Sequence, residues 1–349
     1  MGRLDGLGAV AEVCPPVAPE GPGLLHGRRV TVKEWIDDDA TAVRRLRAAG
    51  AVVVARTRAG EQVRNPWDPT RTAGQSSSGE GVTVSTGVAD IGLGSDSGGS
   101  LRFPAHCCGI AALRPTYGRV PVTGHRPRAG LLVDGRTVIG PLARSVADLG
   151  LALSVVAGPD GRDPTAPPVP LRTEPVDVAG LRVAVHRSGC ASAIGAGVDR
   201  AVAALAAAGA VCTRADVLDV ERSADVTTRY WRRHELPTGE VERLLRHWDH
   251  CRSDAMVLLD RFDAILSPAS PHVAPLLGHG SLADWTYTLA PSLWGWPALA
   301  LRAGDDGGLP FAVQIVAGPW REDIALALGA VLEAALPPIP LAPVPSPSP

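Results

Sequence analysis

The chain has 349 residues, 34 Lys+Arg against 36 Asp+Glu, a formal net charge of −2 and 45% hydrophobic residues. That length can bury a sizeable core, in one large α/β domain or in two smaller ones. Near-balanced charge without a lysine- or arginine-rich block leaves no electrostatic footprint for nucleic acid or an anionic membrane.

In chain order, the opening MGRLDGLGAVAEVCPP has no uninterrupted apolar run of signal-peptide length, and no later run could span a bilayer. Lys33, in TVKEW, is the only lysine among the 34 Lys+Arg. An amine can lose its proton when desolvated and a guanidinium effectively cannot, so this position could house a base; codon bias toward arginine explains it equally well. Residues 37–49 begin with acidic caps and set Ala40, Val43 and Leu46 on one face, predicting a helix that Gly50 ends and AVVVAR follows as a buried strand. Later, LRVAV is expected as a strand, GVDRAVAALAAAGA as a helix and Val211 onward as a strand. Residues 220–235 and 240–262 predict charged helices, then AILSPAS, PALALRAG and LPFAVQIVAG strands, and EDIALALGAVLEAA a closing helix. Strands alternating with helices argue a layered α/β fold with a mostly parallel or mixed sheet. Residues 159–175 are a proline-rich connection, and the tail 337–349 is expected to be extended and disordered. The six cysteines show neither CxxC pairs nor regular spacing, so free thiols in a reducing cytoplasm are expected.

Residues 72–121 break this grammar with two Gly/Ser clusters, 74–81 and 94–100, around a short helical stretch and the strand ADIGLG. Glycine-rich turns let backbone approach a ligand and aim successive N–H groups into one concavity. A serine ending such a turn, Ser100 in SDSGGS, could attack a carbonyl while the amides of Ser97, Gly98, Gly99 and Ser100 receive the oxyanion. A phosphate-binding GxxxxGK[ST] loop is absent because no lysine follows either cluster, and GxSxG is absent too. None of the nine histidines stands in a context that marks it as the base, and Ser–Lys pairs are the alternative to Ser–His.

GQSSSGEG, GSDSGGSLRFPA and ALRPTYGRVP resemble the core pattern of the amidase signature family, with Ser76 and Ser100 24 residues apart as in that pattern. GLLHGRRVTVKE, DATAVRRLRAAGAVVVARTR, NPWDPTR, GPLARSVADL, FDAILSPASP, GWPALAL and GLPFAVQIVAGPWREDIAL extend the resemblance to about Glu333. It implies a single domain over 1–336 with a layered α/β/α fold and a large mixed central sheet. It also implies a triad: Ser100 as nucleophile, Ser76 as a second serine on a cis peptide, and Lys33 as the ultimate base, which must be neutral, its pKa lowered by desolvation or nearby positive charge. Ser97, Gly98 and Gly99 would form the oxyanion hole, with Ser77, Asp96 and Arg102 in support. Gln75 and Ser78 stand where the pattern has glycine, Glu34 where it has Asp and Arg114 where it has Lys, and the shortened segments imply a more open pocket.

Trp285, Trp294 and Trp296, with Tyr287, fall in a segment that borders the acyl pocket in that family, so they are substrate-binding candidates alongside Gln75. A tryptophan-rich core is the equal alternative. HWDHC at 247–251 has two histidines at i, i+3 but no second ligand pair, so no metal and no cofactor is expected. The expected ligand is a small-molecule amide, without nucleic acid or membrane, and a homodimer is compatible with the sequence. The expected activity is amide hydrolysis through an acyl-enzyme on Ser100. Acyl transfer from the same ester and a non-catalytic binding homologue are the alternatives.

Overall fold

A computed structural model describes residues 2–15, 22–128 and 134–343. In chain order the first half runs β1 (Val10–Val13), β2 (Arg29–Lys33), α1 (Thr41–Ala48), β3 (Val52–Thr57), α2 (Ser78–Ser85), β4 (Ile91–Asp96), α3 (Arg102–Cys108), β5 (Ala111–Arg114), β6 (Val138–Ala143) and α4 (Val146–Val156). The second half runs β7 (Arg182–Val185), α5 (Ser192–Ala207), β8 (Val211–Arg214), α6 (Val220–Trp231), α7 (Thr238–Met256), β9 (Ala264–Pro268), α8 (Leu289–Trp294), β10 (Ala298–Asp306), β11 (Leu309–Ala317) and α9 (Glu322–Ala335). All these strands join one 11-stranded sheet in the order β1-β3-β2-β4-β6-β5-β10-β11-β9-β7-β8. β2 runs parallel to β3 and β4, and β7 parallel to β8 and β9, while the central β6, β5, β10 and β11 pair antiparallel. The sheet is mixed, as the sequence grammar predicts.

Alternation along the strands sorts side chains to two faces. Ala111, Leu113, Leu299 and Leu301 join one core cluster under α1, α4, α5 and α9. Ala112, Leu142 and Ala300 point the other way, against α2 and α3. On that second face Ala184, Ile265 and Val316 meet residues of α6, α7 and α8. Helices therefore cover both faces, which makes the architecture α/β/α. Full burial of each larger aliphatic side chain contributes about 1.5–3 kcal/mol.

The predicted helix over 37–49 begins only at Thr41, because the backbone at Ala40 is extended (φ −55, ψ 141); before it, the Asp37 N–H donates to Gly124 O at 2.8 Å. α6 and α7 are shorter than their charged stretches, with short 3₁₀ turns at Arg233–Glu235 and Val257–Asp260. The proline-rich tail is held as far as residue 343: Ala342 N–H donates to Ser85 O at 2.9 Å, and Arg302 donates to Pro338 O at 2.8 Å. That replaces the expected disorder for 337–343 with hydrogen bonding to the body, and 344–349 lie outside the described residues. Among the described residues no helix is long and apolar enough to cross a membrane.

The position of the site follows from β2 and β4. They are parallel neighbours, so Lys33 at the end of β2 and the loop after Asp96 at the end of β4 emerge at the same edge.

Candidate active site

Period-two alternation sends Val30 and Val32 into the core under α1, and Thr31 and Lys33 to the α2 side. Thr31 Oγ1 meets Thr83 Oγ1 on α2 at 2.9 Å. Lys33 is completely buried. Its Nζ lies 2.7 Å from Ser76 Oγ, 3.0 Å from Ser95 Oγ and 3.5 Å from Ser77 Oγ. Burial pushes its pKa down to about 7, against the opposing pull of Glu80, Asp96 and Glu34. Ser77 stands at the N-terminus of α2, whose partial positive charge also disfavours an ammonium there. Glu80, on α2, is buried and accepts from the Thr57 hydroxyl. Burial raises its pKa to about 8, with Lys33 and Arg56 opposing.

Asp96 organises the second glycine loop. Its carboxylate takes Arg102 Nε at 3.1 Å and Arg114 Nη1 at 3.2 Å, with all three side chains fully buried. It also accepts from the N–H groups of Gly99 (2.8 Å) and Leu101 (3.2 Å). The two guanidinium groups hold its pKa well below the usual carboxylate range against the opposing effect of burial. Arg102 continues to Ser292 Oγ at 2.7 Å and Gln314 Oε1 at 3.1 Å. Asp96 and Arg102 thus form a buried ion pair, and Arg114 completes the cluster. The oxyanion assignment needs correction at Gly99, whose N–H is committed to Asp96. The Asp96 carboxylate takes the amides of Gly99 and Leu101, and those of Ser97 and Gly98 are not among its donors. Gly99 has φ +122, and a Cβ there would lie 2.2 Å from Thr288 Oγ1. Gly99→Ala is therefore expected to destabilise the fold by about 2 kcal/mol or more, read from the urea midpoint.

The first serine loop differs from expectation in one bond. The cis peptide among the described residues is Arg126–Pro127, and the bond preceding Ser76 is trans. In this arrangement the Gln75 side chain faces the second loop, and Ser100 Oγ donates to Gln75 Oε1 at 3.1 Å instead of to Ser76. A glycine at 75 would offer no such acceptor. Ser77 donates to Ser95 O at 3.1 Å and accepts from Ser95 N, which ties the two loops together. Ser78 donates to Gly60 O at 2.6 Å. Gln75, Ser76 and Ser100 are part-exposed above the buried Lys33.

The profile of the Amidase family matches residues 24–235, a stretch that contains both serine loops, Lys33 and Asp96. The chain belongs to the amidase family. A glutamyl-tRNA(Gln) amidotransferase component of Chloroflexus aurantiacus is 30% identical, over 94% of this chain and 82% of that protein. Indoleacetamide hydrolase of Bradyrhizobium diazoefficiens is 29% identical, over 89% of this chain and 74% of that protein. In fold, the crystal structure of the corresponding glutamyl-tRNA(Gln) amidotransferase component from Thermotoga maritima superposes with a TM-score of 0.86 at 22% identity, covering 98% of this chain and 92% of that one.

The walls of this amidase-family site differ from those the tryptophan cluster suggests. Trp294 and Trp296 pack edge-on in the core with Trp248, and Trp285 packs on Phe103. Each is less than a tenth exposed; Trp294 and Trp296 fill the space between α7, α8 and the sheet, and Trp285 fills a smaller cluster against α3. The ring that approaches the second glycine loop is Trp231, at the end of α6: a Cβ on Gly98 would stand 3.1 Å from it. Sequence reasoning missed Trp231 because it sits in a stretch whose charge marks a solvated helix face. Arg136 lies under the same aromatic group, 4.5 Å from the Tyr230 ring and paired to Asp134 at 3.1 Å. A cavity of about 950 Å³ beside the first serine loop is lined by Glu34, Arg58, Gly60, Glu61, Arg64 and Leu277 among others. Its wall is charged, and none of the three tryptophans lines it. In the HWDHC motif, His247 Nε2 accepts from Arg222 Nε at 3.0 Å, so that nitrogen serves helix packing.

Proposed function

We propose that this chain cleaves a carboxylic amide through an acyl-enzyme on Ser100, with Ser76 and Lys33 carrying the proton. The observation that supports this most directly is the buried Lys33 amine, 2.7 Å from Ser76 Oγ and with its pKa lowered to about 7. On substrate binding, Ser100 turns about χ1 from Gln75 toward Ser76 and its oxygen attacks the amide carbon. Ser100's proton passes to Ser76 as Ser76's passes to Lys33, and the carbonyl oxygen becomes an oxyanion facing the amides of Ser97 and Gly98. When the tetrahedral species collapses, the C–N bond breaks and the proton returns through Ser76 to the leaving nitrogen. Water then repeats the sequence against the Ser100 ester, giving the acid and the free enzyme.

Intact-mass spectrometry with a fluorophosphonate probe tests the nucleophile. The wild-type chain is expected to gain one adduct and Ser100→Ala none. An unlabelled wild type, or a labelled Ser100→Ala, would remove Ser100 from this role. Running aryl amides with and without an added amine then reports whether water or the amine takes the acyl group.

A further inference from the structure

The hydrogen bonds behind Lys33 have a direction, and it is set outside the triad. His125 is nearly fully buried, its Nδ1 lies 3.0 Å from Pro127 O, and its Nε2 lies 2.9 Å from Ser95 Oγ. A carbonyl oxygen only accepts, so Nδ1 carries the proton and Nε2 is left with its lone pair. Ser95 has one hydroxyl proton and gives it to that lone pair. Toward Lys33, 3.0 Å away, Ser95 can then only accept. Ser77 is committed in the same way, because its proton goes to Ser95 O. A neutral lysine amine has two N–H bonds and one lone pair. Its N–H bonds point to Ser95 and Ser77, which leaves the lone pair for Ser76, the shortest contact at 2.7 Å.

We propose that His125 is a positioning residue for the proton relay: acting through Ser95, its neutral Nδ1–H tautomer turns the lone pair of Lys33 onto Ser76. This rests on the reading of Lys33 as base. Protonation of His125 reverses the chain, since Nε2–H then donates to Ser95 and the Ser95 hydroxyl turns to Lys33 and competes for its lone pair. The charged groups acting on His125 are Lys33 at the end of β2, Asp37 in the turn after it, and Asp134; the adjacent Arg126 pairs with Asp37 at 2.6 Å. Burial is the largest influence and, with Lys33, lowers the imidazole pKa, while the Pro127 contact, Asp134 and Asp37 oppose it. The imidazole therefore stays neutral through the range where Lys33 works.

The test is the pH profile of kcat/KM for an aryl amide in wild type, His125→Leu, His125→Gln, Ser95→Ala and the His125→Leu/Ser95→Ala double variant, with thermal melts confirming folding. His125→Leu, which offers Ser95 no acceptor, is expected to lose about tenfold or more, and His125→Gln, whose amide oxygen can accept, to recover part of that. In wild type the acid limb is expected to steepen from one proton toward two as His125 joins Lys33, while in His125→Gln it stays at one. The loss from His125→Leu should disappear in the Ser95→Ala background, because both act through one hydroxyl. Additive losses, or an acid limb of unchanged slope, overturn the proposal. If Lys33→Met is inactive while His125→Leu keeps wild-type kcat/KM, the positioning role alone fails. Full activity in Lys33→Met removes the base itself.

Discussion

Lys33→Met is expected to reduce kcat/KM by about 10²–10⁴-fold and at the same time to make the folded chain more stable. The stability gain follows from the depressed pKa, about 7 in the fold against 10.5 for the ordinary amine. Below pH 7 both folded and unfolded chains hold the proton, and the full cost of burying an ammonium is present. Between 7 and 10.5 the unfolded chain holds a proton that the folded chain has released, so stability rises with pH across that window. At about 1.4 kcal/mol per pH unit the cost near neutrality is on the order of 5 kcal/mol. Losing the amine's hydrogen bonds gives back about 1 kcal/mol each, which leaves a net gain on the order of 2 kcal/mol for an apolar side chain of similar length. A urea midpoint at pH 7 that falls in Lys33→Met would contradict this. Lys33→Arg is expected to lose both activity and stability, because a guanidinium keeps its charge in the same pocket. In the wild type kcat/KM should rise with pH through about 7 as the amine becomes neutral.

The second large effect is at Asp96. Asp96→Asn keeps the shape and removes the charge, which leaves Arg102 and Arg114 fully buried and facing each other without a counter-ion. Breaking such a pair typically costs about 3–5 kcal/mol, and the same change loosens the loop that Asp96 holds through Gly99 and Leu101. Because the folded pKa lies below the unfolded 3.8, the carboxylate's contribution is complete above about pH 4 and is lost as pH falls further. Chemical denaturation between about pH 3 and 7 should show a lower midpoint for the variant throughout and a shallower acid decline. A variant with wild-type stability at neutral pH would mean that the ion cluster contributes nothing net.

Lys33 was legible because composition isolates it and strand alternation places it beside the serine loops. The layered fold was legible because the apolar periods switch cleanly between strand and helix. What the sequence withheld depends on non-local contacts between residues of ambiguous chemistry. Trp294 and Trp296 have the same letters whether they line a pocket or fill a core, and only the packing of α7 on α8 decides it. Gln75 was visible as an odd residue in a glycine loop, but its capture of Ser100 requires the two serine loops to meet in space. Arg114 stood out as a substitution, yet its bond to Asp96 requires β4 and β5 to lie on either side of β6. β1, β5 and β6 are short or lack alternation, and gave no period to detect. His125 was one of nine histidines without a telling context, and its link to Ser95 arises only where the turn after Val122 returns to β2.

The two parallel strands that deliver Lys33 and Asp96 also divide the chain by task. Lys33, Ser76, Ser77, Ser95, Ser100 and His125 all precede β6, whereas Trp231, Thr288 and Leu289, which close over Gly98 and Gly99, come after β8. On the proposed mechanism, proton handling and the surface facing the acyl group lie on separate stretches of one polypeptide. Changes in α6 or α8 can alter which amide is accommodated without touching a hydrogen bond of the relay. Libraries aimed at new amides therefore belong in the later stretch.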